Sequence, residues 1–115
     1  RTNIRRFRAA GASQIHLFIT FPRIIGPCFY GIDMATYGEL IGARLKPDEI
    51  AEELGADSVN YLPIEEYVKA TGMSREKLCL GCVTGEYPTQ MANKLSCDMR
   101  TFIERGEKEN RRIYE

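Results

Sequence analysis

Apolar residues recur along this chain with two alternating periods, and the alternation sketches its elements. Ile4, Phe7 and Ala10 fall on one face of a short amphipathic helix that starts after a Thr2 or Asn3 cap and stops at Gly11, which suits a left-handed terminus. Between Gly11 and Pro22 the apolar, β-branched run QIHLFIT, Gln14 to Thr20, is too short for a helix and predicts a buried strand. Thr36 and Glu39 match a capping box that opens a short helix through Ala43, and Pro47 in a first turn starts another that Gly55 ends. SVNYL, Ser58 to Leu62, sets Val59 and Tyr61 against polar neighbours and reads as a strand; a helix then runs from Pro63 to a Gly72 cap. Met91, Leu95, Met99, Phe102 and Ile103 recur at helical spacing, and the mixed charge from Glu104 to Arg112 marks a solvated or fraying end. The order predicts an α/β chain. Its opening helix, turn and strand make half of a βαβ unit, without the strand that would precede the helix.

Composition narrows the class. With 115 residues, 43% hydrophobic and 28% charged, the chain suits a single domain over residues 1–115 and one core. Sixteen basic residues balance sixteen acidic ones, so no global field steers it to nucleic acid or to an anionic membrane. No apolar run approaches the roughly 20 residues that cross a bilayer, and the start RTNIRRFRAAGA has no apolar signal core. The expectation is a cytoplasmic protein. In that compartment four cysteines are thiols or metal ligands before they are disulfides.

Cys79 and Cys82 form a CxxC in a loop, close enough in sequence to share one metal, yet a single pair is half of a tetrahedral site. Cys28, between Pro27 and Phe29 in a loop bounded by glycine and proline, is the natural third ligand. Cys97 is a candidate fourth, against which Met91, Leu95 and Met99 place it on a helix, where a buried cysteine serves as small apolar packing. Spacing alone leaves metal or cluster binding and free core thiols both open, with redox roles behind.

The segments IIGPCFYGIDMATYGELI, GADSVNYLPIEEYV and CLGCVTGEYPT, in this order, resemble the glutamine phosphoribosylpyrophosphate amidotransferases, or amidophosphoribosyltransferases. The resemblance runs from the helix before GASQIHLFIT to at least Thr89 and covers the C-terminal part of the phosphoribosyltransferase domain. It implies a partial type I phosphoribosyltransferase-like (Rossmann-like) segment with additional C-terminal helices. It further implies de novo purine biosynthesis: a glutaminase domain releases ammonia, which displaces pyrophosphate from phosphoribosyl pyrophosphate. In the cluster-bearing branch of that family the matching cysteines, here Cys28, Cys79 and Cys82, ligate a [4Fe–4S] cluster. The family's fourth cluster cysteine, its glutaminase nucleophile and its phosphoribosyl pyrophosphate loop have no counterpart in this sequence. The ligand set is therefore incomplete, with zinc or no metal as the alternatives. Where the family continues Ser-Pro-Pro after the first strand, this chain has Phe21-Pro22-Arg23.

Other candidates have plainer readings. His16 reads as a packed or edge strand residue, Asp33 as a turn acceptor, and Glu65 and Glu66 as first-turn acids that favour the helix dipole. Arg1, Arg5, Arg6 and Arg8 read as a solvated basic face before a phosphate contact. No catalytic and no cofactor-binding residue is assigned beyond the three thiols. The expectation is a truncated or split segment of the enzyme, catalytically incomplete alone, that forms a homo-oligomer or needs a partner chain carrying the missing domain. The alternative is a self-associating structural or regulatory module. Neither reading involves nucleic acid or membrane.

Overall fold

The computed structural model describes residues 1–34 and 36–105. Helix α1, Thr2–Ala9, ends where Gly11 takes a φ of 95° and turns the chain into strand β1, His16–Ile19. Its N-cap is Arg1, without a side-chain cap, so neither Thr2 nor Asn3 has that role. β1 pairs in parallel with β2, Ser58–Tyr61, in a two-stranded sheet that sets His16 opposite Ser58 and Ile19 opposite Tyr61.

The crossover between the strands carries α2, Ile41–Arg44, and α3, Pro47–Leu54. α3 forms as its sequence dictates. Pro47 opens the helix, the Glu49 carboxylate accepts from the Lys46 amide at 2.6 Å, and Gly55 closes it with a φ of 79°. Ile50, 1% exposed, and Ala51 turn inward onto Val59; Leu17, Ile41, Leu45, Leu54 and Tyr61 complete this core. The Thr36–Glu39 pair exists, but it closes a turn. The Glu39 carboxylate accepts from both the amide and the hydroxyl of Thr36 at 3.0 Å, while the Thr36 carbonyl accepts from the Glu39 and Leu40 amides, and the helix starts later, at Ile41.

After β2, α4, Ile64–Thr71, runs from Pro63 to Gly72 and holds Tyr67 edge-on to Phe21, with ring centroids 4.9 Å apart. A 3₁₀ turn, Arg75–Lys77, leads to α5, Gly81–Thr84, and then to α6, Gln90–Glu104, whose first turn is capped when the Thr89 hydroxyl accepts from the Ala92 amide.

One expectation about burial is corrected. β1 is not a buried strand: Leu17 faces the core, whereas Phe18, on the opposite face, is 77% exposed. A strand of a parallel sheet is buried only when helices cover both faces, and among the described residues one face has cover. On α6 Ala92 and Ser96 are buried, at 2% and 3%, with Leu95 and Met99 of the apolar stripe half-buried on the same face, whereas its other members Met91, 74% exposed, Phe102 and Ile103 are exposed. The packed face is the i, i+3, i+4, i+7 set Ala92, Leu95, Ser96 and Met99, in which the two small residues are the most deeply buried. The charged run beyond Arg105 falls outside the described residues.

Candidate metal centre

Two segments carry the candidate ligands, and the backbone joins them. The amides of Ile25 and Gly26 both donate to the carbonyl of Cys82, at 2.8 and 3.0 Å. The loop that continues to Cys28 is thereby tied to the first turn of α5. Within it, the Tyr30 amide donates to the Cys28 sulfur at 3.4 Å.

On the other side, Cys79 stands exposed just before α5 and Cys82 is half-buried within it. Thr84 fixes the short helix by donating to the Leu80 carbonyl at 2.9 Å, and Gly85, φ 81°, turns the chain out of it. The CxxC is thus half loop and half helix, where its sequence suggested a loop throughout.

Tyr87 joins the two segments through its side chain. Its phenol donates to the Pro27 carbonyl at 2.7 Å, and its ring meets the edge of Phe29 at 4.7 Å. A Cβ on Gly81 would overlap the Tyr87 ring, and one on Gly26 would stand 2.7 Å from the Tyr87 hydroxyl, so both positions require glycine. Asn93 holds the Tyr87 backbone from both sides: its carbonyl oxygen accepts from the Tyr87 amide at 2.8 Å and its amide group donates to the Tyr87 carbonyl at 2.6 Å. Behind them Tyr37 and Ser96 share a buried hydrogen bond of 2.7 Å.

Burial pushes the Cys82 thiol up from its ordinary range, and the charges of Cys79 and then Cys28 push it further. These are the conditions that a bound cation reverses, since a metal deprotonates a coordinating thiol outright. Among the described residues, no group of three or more His, Cys, Asp or Glu side chains closes to a metal-holding set. The donors are all soft sulfur, which suits an iron–sulfur cluster or zinc. Burial, then the Tyr37 hydrogen bond, raises the Tyr87 phenol far above its usual value, so it remains a donor.

Cys97 does not pack as expected. It is exposed on α6, with its carbonyl accepting from the Thr101 hydroxyl at 2.9 Å. His16 is an exposed edge residue whose Nδ1 lies 2.8 Å from the Ser58 hydroxyl, and Glu65 pairs with Arg75. The basic face of α1 is partly structural: Arg1 bonds the Glu53 carbonyl and carboxylate, and Arg8 bonds Asp57. A separate cleft of about 450 Å³ includes Arg23, Arg44 and Arg100 in its lining, of which Arg23 donates to the Leu45 carbonyl and Arg100 lies over the Tyr37 ring.

Sequence reasoning missed Tyr87, Asn93, Tyr37 and Ser96. The available signal was the pair of glycines beside the cysteines: two positions without side chains imply a large neighbour, and Tyr87 in TGEYPT is the nearest aromatic downstream.

No family model matches the chain. It is 50% identical over 91 residues to the amidophosphoribosyltransferase of Methanocaldococcus jannaschii, covering 79% of this chain and 19% of that protein. The Methanothermobacter thermautotrophicus amidophosphoribosyltransferase is 45% identical over 96 residues, 84% of this chain and 20% of its own length. In three dimensions the chain matches glutamine phosphoribosylpyrophosphate amidotransferase from Bacillus subtilis, solved with ADP and GMP, with a TM-score of 0.68 and 42% identity over 78% of this chain and 22% of that one. A structure described as the allosteric regulatory enzyme of purine biosynthesis matches with a TM-score of 0.66 and 43% identity, over 77% of this chain and 21% of its own. The α/β arrangement is part of a type I phosphoribosyltransferase fold. In sequence and in fold the chain belongs with the amidophosphoribosyltransferases, spanning about one fifth of the length of the relatives that it matches.

Proposed function

We propose that this chain serves as the C-terminal part of the phosphoribosyltransferase domain of a purine-biosynthetic amidotransferase, and that Cys28, Cys79 and Cys82 are its contribution to a metal or iron–sulfur site. The observation that carries the reading is the double hydrogen bond from Ile25 and Gly26 to Cys82, which ties the Cys28 loop to the CxxC turn of a chain with half of its aligned residues identical to an amidophosphoribosyltransferase. When bound, the group would be a structural tie between the two segments. The Tyr30 amide supplies the kind of hydrogen bond to sulfur that tunes a thiolate-bound cluster.

These 115 residues catalyse neither glutamine hydrolysis nor phosphoribosylamine formation alone, because a nucleophile and a phosphate-binding loop must be supplied to them. The reading includes a cytoplasmic setting and association with a second copy or with a partner chain. A stand-alone regulatory module is disfavoured by the extended match to one enzyme family.

Anaerobic reconstitution with iron and sulfide, followed by metal analysis, tests the site. Cys79→Ser and Cys28→Ser should each lower uptake sharply, and Cys97→Ser should leave it unchanged. Negligible uptake by the unmodified chain, or an equal fall for all three variants, refutes the assignment.

A further inference from the structure

The geometry points to Tyr87 as a positioning residue: its phenol latches the Pro27 carbonyl so that Cys28 is delivered to the Cys79–Cys82 turn. The inference rests on the three-thiol reading above and adds a residue to it that carries no ligand atom.

Cys79 and Cys82 are brought together by their own spacing, whereas Cys28 comes from a loop more than fifty positions away. Something must fix that loop. Its backbone reaches α5 through Ile25 and Gly26, at the Cys82 carbonyl. Pro27, immediately before the cysteine, has no amide to give, and its carbonyl is buried against the Tyr87 hydroxyl at 2.7 Å. The Tyr87 ring lies between Gly26 and Gly81, one glycine from each ligand segment, and Phe29 on the far side of Cys28 closes edge-on over it. Ring and hydroxyl therefore touch the residues on both sides of Cys28 as well as the residue before Cys82. Asn93, from α6, fixes the Tyr87 backbone through two hydrogen bonds and so fixes the point from which the ring reaches, while the buried packing around the ring holds its rotamer. Burial keeps water from replacing the phenol at the Pro27 carbonyl.

The test separates the latch from the metal. In a Cys79→Ser/Cys97→Ser background, Cys28 and Cys82 are the remaining thiols, and a short thiol–thiol crosslinker such as dibromobimane should join them in the metal-free chain. Tyr87→Phe keeps the ring and removes the hydroxyl. It should cut that crosslink several-fold, while leaving the Cys79–Cys82 crosslink of a Cys28→Ser/Cys97→Ser background unchanged. Iron uptake by the four-cysteine chain should fall roughly tenfold or more in apparent affinity with Tyr87→Phe, the range expected when a supporting hydrogen bond is lost.

Equal crosslinking with and without the hydroxyl overturns the latch. If the crosslink depends on Tyr87 but the unmodified chain takes up no metal, the latch stands and the metal reading fails. Should Tyr87→Phe lose its helical circular dichroism, hydrogen exchange in the unmodified chain decides. The Ile25 and Gly26 amides should then be as protected as those of α3, and exchange at the rate of an open loop overturns the proposal.

Discussion

Asp57 shows how much one exposed side chain organises. Its carboxylate accepts from the Ile15 amide at 2.7 Å and from the Arg8 guanidinium at 2.5 Å, tying the end of the α1–β1 turn to the start of β2. The Ile15 hydrogen bond holds its pKa below the ordinary 3.8 against desolvation, the next largest effect, with the Arg8 guanidinium adding to the fall. A depressed folded value means that the stabilisation is fully present above the unfolded pKa and is lost as pH falls through the folded one. Asp57→Asn keeps an acceptor for Ile15 and removes the charge. The unmodified chain should therefore lose more melting temperature than the variant between pH 6 and pH 3, and parallel curves would show that Asp57 has no such role. None of this was legible beforehand, because the partners of Asp57 lie 42 and 49 positions away.

Among the elements, those with a local signal were legible and those defined by their packing were not. Pro47 with Gly55, and Pro63 with Gly72, bracket α3 and α4 because a fixed φ and a left-handed glycine act on the chain wherever it folds. Periodicity located α6 and, through Leu95 and Met99, part of its packed face, but Ala92 and Ser96 at the centre of that face are too small or polar to stand out in the pattern. The two faces should respond oppositely to substitution. Ala92→Leu should cost about 1–3 kcal/mol through overpacking. Met91→Lys should stay within about 0.5 kcal/mol. Urea denaturation midpoints measure both, and the reverse order would place Met91, not Ala92, on the packed face. The cysteine segments divide the same way. Gly and Pro around Cys28 marked a loop and CxxC marked a chelating pair, but their joining through Cys82, Tyr87 and Asn93 is tertiary and left no periodic trace.

At the scale of the molecule, β1 is the exposed feature. One edge pairs with β2, and Phe18 and Phe7 present 77% and 59% of their surfaces to solvent. Apolar surface beside a strand edge that is unpaired among the described residues invites another chain. Sedimentation at micromolar concentration should show self-association, and Phe18→Lys should shift it toward monomer; a stable monomer in the unmodified chain would remove the reason to expect a partner at this face. The α/β class was legible from the order of elements, whereas the bare strand was not, because an apolar run has the same sequence whether or not a neighbour covers it.

The parallel pairing has a consequence in time. Each residue of β1 meets a partner 42 positions later in the chain. At ~5–20 residues per second, a ribosome needs on the order of 2 to 8 s to make that stretch. For those seconds Leu17, Phe18 and Ile19 are without their β2 partners, and the nascent segment is open to capture by chaperones, or by the same segment emerging from a neighbouring ribosome.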